Sequence, residues 1–191
     1  MRKLILSMQM SLDGFIEGAH GDMSWMNPND EEQWKLFFDM IESVDLLILG
    51  RGMWNDYCNY WQAALTNTGN FTQNEKDYAR YAEKTRHIVF SNTLKDSGWQ
   101  NAIIMGGSIR DEVLKLKDQP GKDIQIVGGA KLASTLINSD LVDEYRLEVN
   151  PVILHTGKSL FTGLLKNQIL KLKSANHLKS GVVILTYKTA T

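Results

Sequence analysis

Two adjacent glycines, Gly128 and Gly129, stand between an apolar strand-like run and a helix-like segment in the stretch IVGGAKL. A glycine inside a regular element costs about 0.5 to 1 kcal/mol relative to alanine, so a pair usually marks a turn or a close backbone approach. Where such a turn opens a helix, free N–H groups and the positive end of the helix dipole can bind a phosphate. The glycine pair is therefore either a phosphate-binding turn or a turn that serves only packing.

Two other strand-like runs end in residues that suit phosphate. The stretch LLILGRGMW reaches Gly50 and then Arg51, whose planar fork of donors matches phosphate geometry. The stretch HIVFSNTL is followed at its end by the hydroxyl of Ser91 and the amide of Asn92. In open α/β sheets, ligands bind outside the carboxyl ends of the strands. Three such strand ends in one parallel sheet favour a dinucleotide site, although each alone is more simply a turn.

A carboxylate that could assist proton transfer is Asp30, which follows SWMNPN and precedes an amphipathic helix. Aspartate is also a common helix N-cap, where it stabilises a helix by about 1 kcal/mol. Both interpretations of Asp30 stay open. Nearby, Trp25 is either a lid residue or a core plug, and Asp13 in SLDG is either functional or a turn residue.

Several other chemistries find no support in the residue types. The net charge of -1 and the pI near 6.4 lack the basic footprint of a nucleic-acid-binding protein. Cys58 is the one cysteine, which rules out an intrachain disulfide and a thiolate metal cluster, and it fits a cytoplasmic location. No metal site is expected, because the histidines are scattered without ligand spacing: His20, His87, His155 and His177.

The elements that must position these residues follow from hydrophobic periodicity. Through most of the chain, strand-like runs alternate with helix-like segments, which predicts parallel pairing through right-handed crossovers. The last three runs have no helix between them and predict an antiparallel edge: Leu141 to Val149, Ile169 to Lys173 and Val182 to Tyr187. The length of 191 residues suits one domain, residues 1–191. No apolar run approaches the roughly 18 to 20 residues of a membrane span.

The order of the motifs resembles the dihydrofolate reductase superfamily, and within it the stand-alone relatives of the reductase domain of bacterial riboflavin biosynthesis. The resemblance rests on SLDGFI, GDMSWMNPND, LILGRGMW, HIVFSNTL, IVGGAKL, LVDEYRLEVNP and HTGKSLF. It implies a dihydrofolate reductase-like, three-layer α/β fold whose mostly parallel sheet of about eight strands ends in an antiparallel C-terminal edge. It also implies NADPH bound across the strand ends.

Site residues follow from the same resemblance. Asp30 would orient the substrate and assist its protonation, with Trp25 as a second substrate contact. Two positions depart from the common pattern, because Met53 replaces a frequent threonine and Val127 replaces a frequent acidic residue. The residues implied to bind the cofactor are Gly50, Arg51, Met53, Ser91, Asn92, Gly128, Gly129, Ala130 and Lys131.

The sequence thus predicts an NADPH-dependent oxidoreductase that transfers hydride to a C=N or C=O bond of a small substrate. That substrate is heterocyclic, of pterin or pyrimidine type, or sugar-derived. The alternative is a non-catalytic dinucleotide-binding or sensing module with the same fold, which the departures at Met53 and Val127 favour. The resemblance further implies a homodimer, and no nucleic-acid or membrane partner is expected.

Overall fold

The computed structural model describes residues 1–190, which form ten strands and five α-helices. The strands are β1 (Leu4–Ser11), β2 (Phe15–Glu17), β3 (Val44–Gly50), β4 (Arg86–Phe90), β5 (Ala102–Met105), β6 (Asp123–Gly128), β7 (Glu144–Asn150), β8 (Lys158–Ser159), β9 (Leu170–His177) and β10 (Val183–Thr189). The helices are α1 (Glu31–Ile41), α2 (Arg51–Thr66), α3 (Gln73–Lys84), α4 (Ile109–Asp118) and α5 (Ala130–Asn138).

Eight of the strands form one sheet in the order β5-β4-β3-β6-β1-β7-β10-β9. The pairs from β5 to β7 are all parallel, whereas β10 pairs antiparallel with both β7 and β9. The prediction of a mostly parallel sheet of about eight strands with an antiparallel C-terminal edge is therefore confirmed. A long parallel region requires helices on both faces, because its strands are apolar on both sides.

The helices cover the two faces of the sheet and give three layers. Alternate residues of the central strands point to opposite faces, so Leu46 and Ile48 pack with α4 and α5, whereas Leu47 and Leu49 pack with α1, α2 and α3. Trp34 and Phe37 of α1 pack against the apolar cluster that contains Leu47 and Leu49, as the three- and four-residue spacing of apolar residues in this helix predicts. The two apolar clusters, one on each face, fix the sheet between its two layers of helices.

Two differences from the sequence-based expectation concern strand pairing. The stretch 14–29 contains three glycines and shows no helical period, which predicts one long loop, but Phe15–Glu17 pairs with Lys158–Ser159 in a small second sheet. Gly157 permits this approach, since a Cβ there would overlap the carbonyl oxygen of Glu17. The strand expected over 169–173 extends to His177, because His177 still pairs with Val183.

In the part of the chain that the structure describes, none of the helices combines the length and the apolar composition that crossing a membrane would take.

Candidate active site

The three strand ends that the sequence singled out lie side by side. Strands β4, β3 and β6 are consecutive in the sheet and parallel, so their carboxyl ends meet at one edge. Gly50 pairs with Phe90, the residue before Ser91, and Leu49 pairs with Gly128. The structure therefore brings the three predicted phosphate-binding segments together, although they are far apart in the sequence.

Two helices begin at this edge with no side chain on their first N–H groups. Gly50 is the N-cap of α2 and Gly129 is the N-cap of α5, and neither helix start has a side-chain cap. The backbone nitrogen of Gly50 lies 3.8 Å from the place where a Cβ on Gly129 would stand. The first N–H groups of a helix have no partner within the helix, so two adjacent sets of free donors face the same space. Such an arrangement suits a pyrophosphate.

Two exposed cations accompany the helix starts. Arg51 is the first residue of α2, and Lys131 lies in the first turn of α5. Neither forms an ion pair with a carboxylate among residues 1–190. Ala130, by contrast, is buried, so it can offer a ligand only its backbone. The edge is therefore positive both from its helix dipoles and from its side chains.

The glycine pair has two separate structural reasons. A Cβ on Gly128 would overlap the sulfur of Met53, whose side chain lies over the glycine. Gly129 has φ +100°, a conformation that side chains disfavour, and a Cβ there would meet no atom closer than 3.8 Å. Gly128 thus accommodates a protein side chain, while Gly129 adopts the positive φ that the turn requires. Met53 lines the turn through its thioether.

Ser91 and Asn92 organise the loop after β4 through their oxygen atoms. Ser91 Oγ accepts the backbone N–H of Thr93 at 3.1 Å and that of Leu94 at 2.9 Å. Asn92 Oδ1 accepts the N–H of Gly107 at 3.2 Å and joins this loop to the one after β5. The hydroxyl hydrogen of Ser91 and the Nδ2 group of Asn92 have no protein partner among residues 1–190, so both can donate to an anion.

Asp30 is a helix cap, and one of its oxygens is left over. Its Oδ1 accepts the N–H of Gln33 at 3.0 Å, which confirms the cap interpretation. Its Oδ2 is buried and has no hydrogen-bond partner in the described chain. A buried carboxylate oxygen without a partner costs free energy, which a bound ligand or water recovers. The cap and the proposed functional role therefore use different oxygens.

A second buried carboxyl, which no pattern in the sequence marks, lies close to Asp30. Glu148 of β7 is 3% exposed, and its Oε2 accepts a hydrogen bond of 2.6 Å from Nε2 of Gln33. It pairs in register with Gln9 of β1, the strand that separates β7 from β6 and its terminal Gly128. The two acids and the glycine turn therefore flank β1 from opposite sides.

Burial dominates the electrostatics of this polar cluster. Burial raises the pKa of Glu148, and the negative charge of Asp30 raises it further. The hydrogen bond from Gln33 and the positive charge of Arg146 act in the opposite direction and lower this pKa. Arg146 approaches Glu148 to 3.5 Å, yet two of its guanidinium nitrogens, Nε and Nη2, have no hydrogen-bond partner within residues 1–190. Burial lowers the pKa of Arg146, while Glu148, Asp39 and Glu144 raise it.

Trp25 and Asp13 have local roles. Trp25 is half-buried, and its Nε1 donates to the carbonyl of Asp22 at 3.2 Å; among residues 1–190 no hydrogen bond or ring contact links it to Asp30. Asp13 accepts hydrogen bonds from the Ser11 hydroxyl and from the N–H groups of Leu154 and His155, and these lower its pKa to about 2. Asp13 thus fastens the turn after β1 to the segment after β7.

No group of three or more histidine, cysteine, aspartate or glutamate side chains with the geometry to hold a metal ion occurs in residues 1–190.

Comparison with known proteins places these features in a family context. A model of the RibD C-terminal domain family matches residues 2–185. The uncharacterized protein YyaP of Bacillus subtilis (strain 168) is 36% identical over 191 residues, covering 97% of this chain and 94% of YyaP.

Solved structures share the fold at low sequence identity. A putative riboflavin biosynthesis protein from Shewanella sp. PV-4 superposes with a TM-score of 0.75 at 21% identity, covering 99% of both chains. The dihydrofolate reductase of Enterococcus faecalis, complexed with NADP(H), gives 0.65 at 15% identity and covers 99% of this chain and 97% of its own. A diaminohydroxyphosphoribosylaminopyrimidine deaminase/5-amino-6-(5-phosphoribosylamino)uracil reductase from Thermotoga maritima gives 0.68 at 17% identity, covering 99% of this chain and 57% of its own. The predicted dihydrofolate reductase-like fold is thereby confirmed.

Proposed function

Because the chain belongs to the RibD C-terminal domain family, we propose that it is an NADPH-dependent oxidoreductase that transfers hydride to a C=N or C=O bond of a small substrate. A pyrimidine-like substrate has the strongest support, since the Thermotoga neighbour is named a reductase of an aminouracil. A pterin-like substrate is supported by the fold shared with dihydrofolate reductase.

The observation that carries the proposal is the pairing of two uncapped helix starts, at Gly50 and Gly129, on adjacent parallel strands. Free N–H groups, exposed Arg51 and exposed Lys131 give this edge the donors and the positive charge that a dinucleotide phosphate requires. Gly129 is half-buried and has no side chain, so a ligand can approach its backbone closely. The residues present therefore fit NADPH.

Each part of the edge has a proposed role in holding the cofactor. The helix starts at Gly50 and at Gly129 would receive the pyrophosphate through backbone N–H groups. Arg51, with the free donors of Ser91 and Asn92, would bind the 2′-phosphate, the group that distinguishes NADPH from NADH. Met53 would contact the cofactor through its side chain or backbone, since its thioether covers Gly128.

The chemistry divides between the cofactor and the chain. Bound NADPH supplies the hydride, and the protein supplies position, electrostatics and a proton source. Asp30 Oδ2, buried and unpartnered, is the proposed atom that holds the substrate or a water molecule and assists its protonation. Because Asp30 is the N-cap of a packed helix and its Oδ1 accepts the N–H of Gln33, the helix holds its carboxylate in place.

The test is a turnover assay of the purified protein with NADPH and either 7,8-dihydrofolate or 5-amino-6-(5-phosphoribosylamino)uracil. We expect steady loss of NADPH absorbance with one of these substrates, together with a reduced product identified by mass spectrometry. Saturable NADPH binding without turnover of either compound, or of a wider panel of pterins, pyrimidines and carbonyl compounds, would instead support the non-catalytic dinucleotide-binding module.

A further inference from the structure

Glu148 and Asp30 are joined by one residue. Gln33 donates its backbone N–H to Asp30 Oδ1 at 3.0 Å and its side-chain Nε2 to Glu148 Oε2 at 2.6 Å. All three residues are buried: Asp30 is 8% exposed, Gln33 5% and Glu148 3%. The start of α1 is thus connected to the sheet by polar contacts as well as by apolar packing.

Stability alone does not account for a glutamate at position 148. Burying a carboxyl group is costly, and apolar residues of similar volume often replace buried ion pairs without loss. The residue of β10 that pairs with Glu148 is the apolar Ile184. The contact with Arg146, at 3.5 Å, is too long for a good hydrogen bond and leaves Nε and Nη2 of the guanidinium unpartnered. The short hydrogen bond of Glu148 is the one with Gln33, and Gln33 in turn donates its backbone N–H to Asp30.

We propose that Glu148 is a positioning residue of the substrate site: through Gln33 it fixes the first turn of α1, so that Asp30 presents Oδ2 to the substrate. This inference rests on the proposed reductase function. Its location supports the role, because Glu148 pairs with Gln9 of β1, the strand between the acid pair and the glycine turn.

The charges around Glu148 define what this unit can recognise. Asp30 acts on it from the N-cap of α1 and Arg146 from β7, and the charges of Asp39 and Glu144 raise the pKa of Arg146. Its partners in β1 and β10, Gln9 and Ile184, carry no charge. Burial raises the pKa of Glu148 and so favours its uncharged form. The unpartnered Oδ2 of Asp30 accepts hydrogen bonds, so it suits a substrate edge rich in N–H groups.

The functional test compares Glu148→Leu with the conservative Glu148→Gln. The leucine variant removes the acceptor for Gln33, and we expect kcat/KM for the reduced substrate to fall about tenfold to 100-fold, mostly in kcat, through a misplaced Asp30. The glutamine variant keeps an acceptor oxygen, so it should retain most of the activity while losing one ionisation from the pH profile. NADPH affinity should stay at the wild-type value in both. A folded leucine variant with wild-type kcat/KM and pH profile would overturn the proposal.

A second measurement is independent of turnover. Carboxyl carbon NMR titrations should show that Asp30→Asn lowers the pKa of Glu148, because the negative charge of Asp30 raises it. Asp39→Asn is the matched control and should leave Glu148 unchanged. Identical titration of Glu148 in the wild type and in Asp30→Asn would overturn the coupling. If Asp30→Asn changes the pKa of Glu148 but the protein turns over no substrate, the proposed reductase function is wrong, whereas the electrostatic coupling between Asp30 and Glu148 is confirmed.

Discussion

Asp30 accepts the backbone N–H of Gln33 through Oδ1 at 3.0 Å, while Oδ2 of the same carboxylate is buried without a partner in the described chain. The two oxygens separate two roles that a sequence cannot distinguish. One satisfies a donor of the first helical turn, and the other is available for a ligand. The roles can therefore be tested by changing one without the other.

Asp30→Asn is expected to keep the cap and to lose the acid. Asparagine is as good an N-cap as aspartate, so the free energy of unfolding should change by less than about 1 kcal/mol. Turnover at neutral pH should fall by about 100-fold, because an amide cannot hold or transfer the proton. Steady-state kinetics and urea unfolding of the same preparation measure the two effects, with calorimetry to show unchanged NADPH affinity.

Asp30→Ala provides the control, since it removes both roles and should cost about 1 kcal/mol of stability in addition to turnover. Wild-type turnover in Asp30→Asn would leave Asp30 as a helix cap alone.

The glycine pair yields a prediction about packing. Gly128→Ala should destabilise the protein, because the new Cβ would overlap the sulfur of Met53. Met53→Ala should remove that clash, so the double variant should be more stable than additivity predicts. Urea unfolding of both single variants and the double variant measures this coupling, which falls at about 0.5 to 3 kcal/mol for residues in contact.

Gly129→Ala is the matched control for this cycle. Its cost comes from the combination of φ 100° and ψ 104°, which side chains rarely adopt, about 1 to 3 kcal/mol, and Met53→Ala should not relieve it. Additive behaviour of Gly128→Ala with Met53→Ala would show that Met53 does not occupy the space over Gly128.

The buried His87 should make the folded protein less stable in mild acid. The ring donates from Nδ1 to the carbonyl of Thr85 at 2.9 Å and accepts at Nε2 from the hydroxyl of Tyr57 at 3.0 Å. Burial lowers its pKa from 6.5 to about 4, so between these values the unfolded chain binds a proton that the folded chain does not. The free energy of unfolding should therefore fall by about 3 kcal/mol as pH drops from 6.5 to 4.

Denaturant titrations at several pH values measure this slope. His87→Phe should flatten the His87 contribution, and Tyr57 would keep the hydroxyl of Tyr78 as a partner at 3.1 Å. The same pH slope in the wild type and in His87→Phe would assign the acid sensitivity to other groups.

Local patterns in the sequence predicted most of the elements, but not which strands are neighbours. The apolar runs ending at Gly50, Phe90 and Gly128 are recognisable one by one, since each is a buried strand followed by a turn. Their adjacency depends on the order β4-β3-β6, which is set by contacts between distant segments. The strand β2 was absent from the predicted elements for the same reason: within residues 1–190 it pairs only with the distant β8.

Glu148 shows what the sequence could not reveal about the site. In LEVN, a charged residue between apolar ones is typical of a strand with one face in solvent. Here that face is covered by α1, and only the packing shows that Glu148 is 3% exposed and bonded to Gln33. Asp30 was easier to identify, because its place before a helix is itself a recognisable pattern.

Isothermal titration with NADPH and, separately, with NADH tests the central claim most directly. We predict a Kd of micromolar order for NADPH and a Kd at least about tenfold weaker for NADH, since only NADPH carries the 2′-phosphate that Arg51 would bind. Arg51→Ala should remove most of this preference, whereas Arg86→Ala, an exposed arginine at the opposite end of the strands, should not. No saturable binding of either nucleotide would contradict the account and leave the glycine turn a feature of the fold alone.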